Sequence, residues 1–337
     1  MVQLLLRAIL VATLSLVPLS LGEAVAKATS IKFGTNWLAQ AEHGGFYQAV
    51  ADGTYKKFDL DVEIVPGGPM RDNRLKLLSG ALDFYMGGNI TESILSVEQD
   101  VPLIAVAAIF QKEPQVLMSH PNAGFDTFQD LKKSNSVIIS AAGTSVFYQW
   151  LIKRYGFSFE QTKPYNFDST QFMADPASVQ QAYLTSQPFE IERKGGFKPN
   201  VFLLADYGFN DYSTTIVTTR DTLQNRSDIV QRFVDASIIG WMNYLYGDNR
   251  AANDLIKRDN PDMTDEQLAY SLQKLKEYGI VDSGDAVTNG VGAIDDKRVE
   301  AFFEELVKTG LVDAKTDFRK AYTTAFVNKK IGAELRK

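Results

Sequence analysis

This 337-residue chain has two histidines and no cysteine, which leaves it few routes to covalent chemistry. A catalytic triad needs a histidine beside an activated nucleophile, and no G-x-S-x-G turn offers one. Metal binding is disfavoured too, since neither His43 nor His120 has a second histidine or a thiolate at ligand spacing. His120 precedes Pro121 and reads as a surface turn. His43 reads either as a polar residue opening a helix or as a hydrogen-bond donor to a ligand. The glycine-rich stretches match neither a dinucleotide fingerprint nor a phosphate loop.

What remains is recognition chemistry. Asn36-Trp37, Pro66-Gly67-Gly68-Pro69 and Gly87-Gly88-Asn89 each follow a strand-like run. Their glycine pairs either let a backbone approach a ligand closely or simply turn the chain. Gly143-Thr144-Ser145 joins a strand to a helix, where free N–H groups and hydroxyls bind an anion or polar oxygen, or merely cap the helix. Trp37 and Tyr207 fall in loops and suit stacking on a flat ring, whereas Trp241 lies on an apolar helical stripe and reads as core. The candidate ligand contacts from the first half of the chain are Asn36, Trp37, His43, Tyr47, Gly68, Gly88 and Asn89. From the second half they are Thr144, Ser145, Tyr148, Gln187 and Tyr207. There is no candidate catalytic residue, metal ligand or cofactor.

The elements that position these groups alternate strand and helix. Strands are expected near 31–34, 61–65, 82–86 and 102–110, with helices near 43–58, 71–78 and 91–97 between them. This alternation predicts a parallel α/β sheet with its ligand loops at the strands' carboxyl ends. The pattern restarts with a helix at 126–133, a strand at 136–140, a helix to about 155, a strand at 163–167, a helix at 177–184 and a strand at 201–205. From Asp228 onward the chain reads as helical, with Val230, Phe233, Val234, Ile238, Trp241 and Leu245 at helical spacing. Two lobes with a cleft between them are therefore expected: 28–115 plus 213–337, and 116–212. The crossings fall at Gln111–Gln115 and Asp206–Thr215, where cleft proteins hinge.

Before these elements, Arg7 precedes the apolar run Ala8–Leu21, and Ala24-Val25-Ala26 follows. A basic start, a short apolar stretch and an A-x-A site predict a signal peptide over 1–26, cleaved to leave Lys27 first. Removing Arg7 and Glu23 together keeps the net charge at −6. The mild acidity argues against a nucleic-acid partner. A soluble, exported, monomeric protein is expected, without disulfides.

One group of segments resembles a known family. Asn36-Trp37, Glu42-His43-Gly44-Gly45-Phe46-Tyr47 and Leu60–Pro69 are similar to the substrate-binding proteins that share their fold with yeast thiamine-pyrimidine synthase. That group also includes the aliphatic-sulfonate, taurine and nitrate receptors. The likeness continues through Gly143-Thr144, Gln180–Phe189 and Leu204–Gly208. It implies a type II periplasmic binding fold, a periplasmic location, and partnership with an ABC permease and its cytoplasmic ATPase. The first block looks nearest to receptors for thiamine pyrimidine precursors and riboflavin, both planar heteroaromatics; a sulfonate-type anion is the alternative ligand. A pyrimidine-forming enzyme is the distant alternative. By the rough register of the resemblance, Gly87 and Thr91 stand where the synthases carry their lysine and histidine, and the synthases' cysteine motif has no counterpart.

Overall fold

The computed structural model describes residues 28–68 and 71–336. The expected signal peptide therefore lies outside the described residues. Ten strands form two five-stranded sheets. The first contains β1 (Thr29–Gly34), β2 (Leu60–Val65), β3 (Phe84–Asn89), β4 (Leu103–Phe110) and, from far along the chain, β10 (Ser213–Thr219), in the order β2-β1-β3-β10-β4. The second contains β5 (Gln115–Ser119), β6 (Ser136–Ile139), β7 (Thr162–Pro164), β8 (Ser178–Tyr183) and β9 (Asn200–Leu203), in the order β7-β6-β8-β5-β9. The chain passes from one sheet to the other between Phe110 and Gln115 and returns between Leu203 and Ser213.

Neither sheet is wholly parallel, as the alternation had suggested. β1 runs parallel to β2 and β3, but β10 is antiparallel to both β3 and β4. In the second sheet β6 is parallel to β7 and β8, while β5 is antiparallel to β8 and β9. β5 and β10, which follow the two crossings, are the strands that sequence reading did not assign. All eight residues of β4 are buried although it ends its sheet. The C-terminal region covers its free edge: the Ala108 N–H donates to the Gly292 carbonyl at 3.0 Å and the Thr323 N–H to the Ala105 carbonyl at 2.9 Å. An edge covered this way offers no template for foreign strands.

The segment expected as a helix over 177–184 is the strand β8. Its Gln-Gln-Ala composition favours a helix, but its place between β6 and β5 overrides that preference. Each glutamine is held by one side-chain bond inside the sheet: Gln180 Nε2 donates to Ser169 Oγ at 2.9 Å, and Gln181 Oε1 accepts the Ser140 N–H at 2.6 Å. Gly87-Gly88-Asn89, expected after a strand, are instead the end of β3.

Two apolar clusters, each drawing side chains from both sheets, make up the core. The tightest packing brings the helix Gly44–Ala51 onto the helix Ser227–Tyr246. A Cβ on Gly45 would sit 2.1 Å from the Trp241 ring, and one on Gly44 2.1 Å from the Tyr244 ring. From the other side, a Cβ on Gly240 would sit 2.3 Å from the Gly45 carbonyl. The two glycines after His43 are therefore needed for helix contact, with Trp241 filling the space a side chain would take. Overpacking of this kind costs about 1–3 kcal/mol. Gly45→Ala is expected to lower the melting temperature by roughly 2–12 °C, taking ~2–4 °C per kcal/mol. Thermal unfolding followed by circular dichroism checks this; an unchanged melting temperature would show that the helices can separate freely.

Candidate functional site

A cavity of about 310 Å³ lies between the two sheets. Its lining comes from the carboxyl ends of parallel strands in both: Asn36 and Trp37 beyond β1, Gly88 and Asn89 at the end of β3, Ser140 beyond β6, Tyr165 and Phe167 beyond β7, and Gln181 to Tyr183 in β8. Glu113, in the first crossing, forms part of the lining between the two sheets. This is where α/β sheets place ligands, because the loops there diverge and leave backbone groups unpaired.

The Asn36-Trp37 loop is braced from behind. The Thr35 hydroxyl donates to the Trp37 carbonyl at 2.8 Å, and the Gly67 N–H reaches the same carbonyl at 3.1 Å. Asn73 Nδ2 donates to the Thr35 and Val65 carbonyls at 2.8 and 2.9 Å. A Cβ on Gly67 would stand 2.4 Å from the Thr35 carbonyl oxygen, so the Pro66-Gly67-Gly68 turn serves to hold this loop. Trp37 then meets Phe167 from the other sheet, with ring centroids 4.6 Å apart, and Phe167 in turn meets Tyr165 at 5.2 Å. Phe167 is 49% exposed and sits at φ 62°, an uncommon conformation for a side chain of its size. An exposed aromatic in this conformation thus borders the cavity in contact with Trp37.

The polar lining is acidic. Glu42, Glu92 and Glu113 all face the cavity, and no lysine or arginine does among the described residues. All three have a partner on one oxygen. Glu42 accepts the Thr185 hydroxyl across the sheets, and Glu92 Oε2 accepts the Gly88 N–H at 3.0 Å. Burial raises the pKa of both. Glu113 accepts the Tyr183 hydroxyl on Oε1 at 3.1 Å, but its Oε2 has no partner. Burial pushes Glu113 up to about 8, and the nearby carboxyls of Asp211 and Glu92 push the same way. Asp211, in the second crossing, is pushed up to about 7 by burial, although it accepts the Thr91 hydroxyl at 2.6 Å. His43 is fully buried, neither ring nitrogen has a partner, and burial lowers it to about 3, so the ring is neutral.

Of the expected contacts, Asn36, Trp37, His43, Gly88, Asn89 and Gln187 line the cavity. Asn89 Oδ1 also caps the helix Ile90–Glu98, and Gln187 Oε1 accepts the Tyr183 N–H at 2.7 Å. The other six lie elsewhere. Tyr47 is core and donates to Asp259 at 2.9 Å. Gly68 packs on Leu38 beside the braced loop. Thr144 and Ser145 spend their hydroxyls on the carbonyls of Ser140 and Ala141 four residues back, at 3.0 and 3.1 Å. The true cap of that short helix is Ser140. Tyr148 is buried and donates to the Ser158 carbonyl at 2.8 Å. Tyr207 stacks on Phe128 at 3.8 Å and does not reach the cavity. Sequence reading missed Glu42, Glu92, Glu113, Tyr165, Phe167, Gln181 and Tyr183. Glu113 stood in a crossing already recognised as such, which was the available signal. Among the described residues no cluster of metal-ligating side chains occurs, and no helix is long and apolar enough to cross a membrane.

The raised carboxyls give a signed pH dependence. Glu113 and Asp211 ionise near their ordinary values of 4.5 and 3.8 in the unfolded chain but hold their protons to about 8 and 7 in the fold. Their contribution to stability is full below the lower values and is lost as pH rises through the higher ones. His43 acts on the acid side only, because below its ordinary 6.5 the unfolded chain takes up a proton that the fold refuses. The melting temperature of the empty protein is therefore expected to fall between pH 6.5 and 8.5. Glu113→Gln, a fixed neutral isostere, should flatten that fall and melt above wild type at pH 8.5. Thermal melts across this range check it, and a variant that keeps the full slope would contradict the assignment.

The fold is that of the periplasmic binding proteins. The alkanesulfonate-binding protein SsuA from Xanthomonas axonopodis pv. citri, solved bound to MOPS, superposes with a TM-score of 0.62 at 10% identity, covering 88% of this chain and 99% of its own. A Candida albicans gene product, described as having the generic periplasmic binding protein fold, gives 0.61 at 17% identity, covering 88% and 97%. The desulfurization enzyme DSZB is similar as well, at 0.56 and 12% identity, covering 91% and 99%. At such identities the likeness speaks for the fold alone, and it spans receptors and an enzyme. No curated protein sequence matches the chain. The family model described as NMT1/THI5 like matches residues 40–250, more than half of the chain and all of the cavity lining but Asn36 and Trp37, and the chain belongs to that family.

Proposed function

We propose that the protein is the solute-binding component of an ABC-type importer, working outside the cytoplasm and delivering its ligand to a permease driven by a cytoplasmic ATPase. Its two lobes, 28–115 plus 213–337 and 116–212, close on a small planar heteroaromatic solute of the thiamine-pyrimidine-precursor or riboflavin type. One observation carries this reading: the cavity wall has aromatic rings from both sheets and no basic side chain among the described residues. Trp37, Phe147, Tyr165, Phe167 and Phe209 offer flat apolar surface, while Asn36, Asn89, Gln181 and Gln187 offer directional polar groups. A cavity of about 310 Å³ is at the small end for ligand sites, which suits one ring better than three.

The likeness to SsuA favours a second reading, a sulfonate-type anion receptor. Against it stands the chemistry of the lining, since an anion beside three carboxyls and a neutral histidine would find no countercharge. An enzymatic reading fares worse. At Gly87 a Cβ would lie 2.6 Å from the Thr215 hydroxyl, so the position expected for the synthases' lysine has no room for one. Thr91, at the expected histidine position, donates its hydroxyl to Asp211 and faces away from the lining.

Trp37→Ala is expected to weaken binding of 4-amino-5-hydroxymethyl-2-methylpyrimidine at least tenfold, the equivalent of about 1.4 kcal/mol. The melting temperature should change little, because the loop adds little to the core. Titration calorimetry with this pyrimidine, riboflavin and ethanesulfonate, alongside a thermal melt, checks both points. Ethanesulfonate binding with no pyrimidine or riboflavin binding would favour the anion receptor.

A further inference from the structure

Three carboxyl groups meet beside the cavity, two of them from the crossings, and the cavity lining holds no lysine or arginine among the described residues. Glu113 lies in the first crossing, Asp211 in the second, and Glu92 at the start of the helix that follows β3. Glu113 and Asp211 are buried, while Glu92 keeps part of its surface exposed. Glu113 and Asp211 each keep one buried oxygen, Oε2 and Oδ1, with no partner on the protein, and of the two residues Glu113, only 6% exposed, is the one in the cavity lining. The basic groups nearby are already engaged or turned away. Arg298 pairs with Asp285 at 3.0 Å and donates to the Gln111 carbonyl at 2.6 Å, and neither Arg298 nor Lys112, the chain neighbour of Glu113, is in the cavity lining. Tyr183 and Ser213 supply only hydroxyls, and His43 is neutral.

A buried carboxyl oxygen without a partner, in a lining that holds carboxyls and no basic side chain, is complemented by a cationic N–H donor. We propose that the ligand is positively charged, a planar amidinium or protonated aminoheterocycle, and that Glu113 is the residue that reads its charge. The proposal rests on the planar-solute reading above and narrows it to cations. The flat donor edge of such a group would present N–H bonds to Glu113 Oε2 while its ring lies against the aromatic walls. A charge-assisted hydrogen bond is about twice as strong as a neutral one. Because the empty site keeps a proton on Glu113 up to about pH 8, binding a cation should expel that proton, and affinity should rise with pH between 6 and 8. The groups that set this dependence from the surrounding elements are Asp211, Glu92 and Tyr183, with Arg298 acting on Asp211 from the far side.

Three isosteric probes separate charge from shape: benzamidine, benzamide and benzoate, titrated at pH 7 into the whole protein with ethanesulfonate as a fourth. Benzamidine is expected to bind at least tenfold more tightly than benzamide, benzoate more weakly still, and benzamidine binding should release protons when two buffers of different ionisation enthalpy are compared. Glu113→Gln should cut benzamidine affinity at least tenfold and leave benzamide within about twofold. If benzamide or benzoate binds as tightly as benzamidine, or if Glu113→Gln keeps the full preference, the charge claim is overturned while the planar-solute reading survives. If ethanesulfonate binds and no ring compound does, both fall.

Discussion

The guanidinium of Arg298 holds the molecule's two crossings at one point. Its Nη2 donates to the carbonyl of Gln111 in the first crossing and to those of Asn210 and Asp211 in the second, at 2.6, 3.4 and 3.4 Å. Its Nη1 pairs with Asp285 at 3.0 Å, and its flat face lies 3.9 Å over the ring of Tyr212. A planar cation with several fixed donors can serve three carbonyls and a carboxylate at once, where a lysine could not. Hydrogen bonds from a charged donor are worth about 1.5–3 kcal/mol each, so this junction is among the most firmly specified places in the fold. The neighbouring strands depend on it. Phe110, the last residue of β4, pairs with Ser213, the first of β10, which on its other edge pairs with Asn89 at the end of β3. The exit and the re-entry of the chain are thereby fixed side by side next to the cavity.

That arrangement explains the electrostatics of the site. The crossings bring the buried carboxyls of Glu113 and Asp211 together, and Arg298 bonds to the crossings through the backbone carbonyls of Gln111, Asn210 and Asp211. The positive charge is spent on stitching the crossings, and the carboxyls are left to hold their own protons. The aromatic contact of Trp37 with Phe167 borders the cavity on one side, and the Leu184–Ser186 segment borders it on another. There the Thr185 carbonyl accepts the Ser271 hydroxyl at 2.6 Å and the Gln267 amide at 3.2 Å. In such surroundings a missing partner costs more than it would in water, so a ligand that supplies one gains correspondingly.

The architecture was largely legible in the sequence because apolar strands, capped helices and their alternation are local signals. The restart after Gln111 gave the second sheet, and the spacing of Val230, Phe233, Val234, Ile238, Trp241 and Leu245 gave the long helix. β8 was misread because its glutamines look helical until the bonds to Ser169 and to the Ser140 backbone are seen. β5 and β10 were missed because both follow crossings and pair antiparallel to strands far away in sequence. At the site, the Asn36-Trp37 loop and His43 were legible as unusual residues at a strand end. Tyr207 and Tyr148 were not distinguishable from them, since only the fold reveals that Phe128 covers one ring and that Ser158 takes the hydroxyl of the other. The glutamates were invisible for another reason: an acid is ordinary on a surface, and Glu113 becomes unusual only when two crossings and a second sheet bury it.

The central claim is that this cavity takes a flat nitrogen-containing ring and not an oxyanion. The most direct test is to denature the protein as purified from the periplasm and identify what it releases by mass spectrometry. The account predicts a planar nitrogen heterocycle, released by the wild-type chain and depleted in Trp37→Ala. Release of an aliphatic sulfonate or another acyclic anion, in equal amount from both chains, would contradict it.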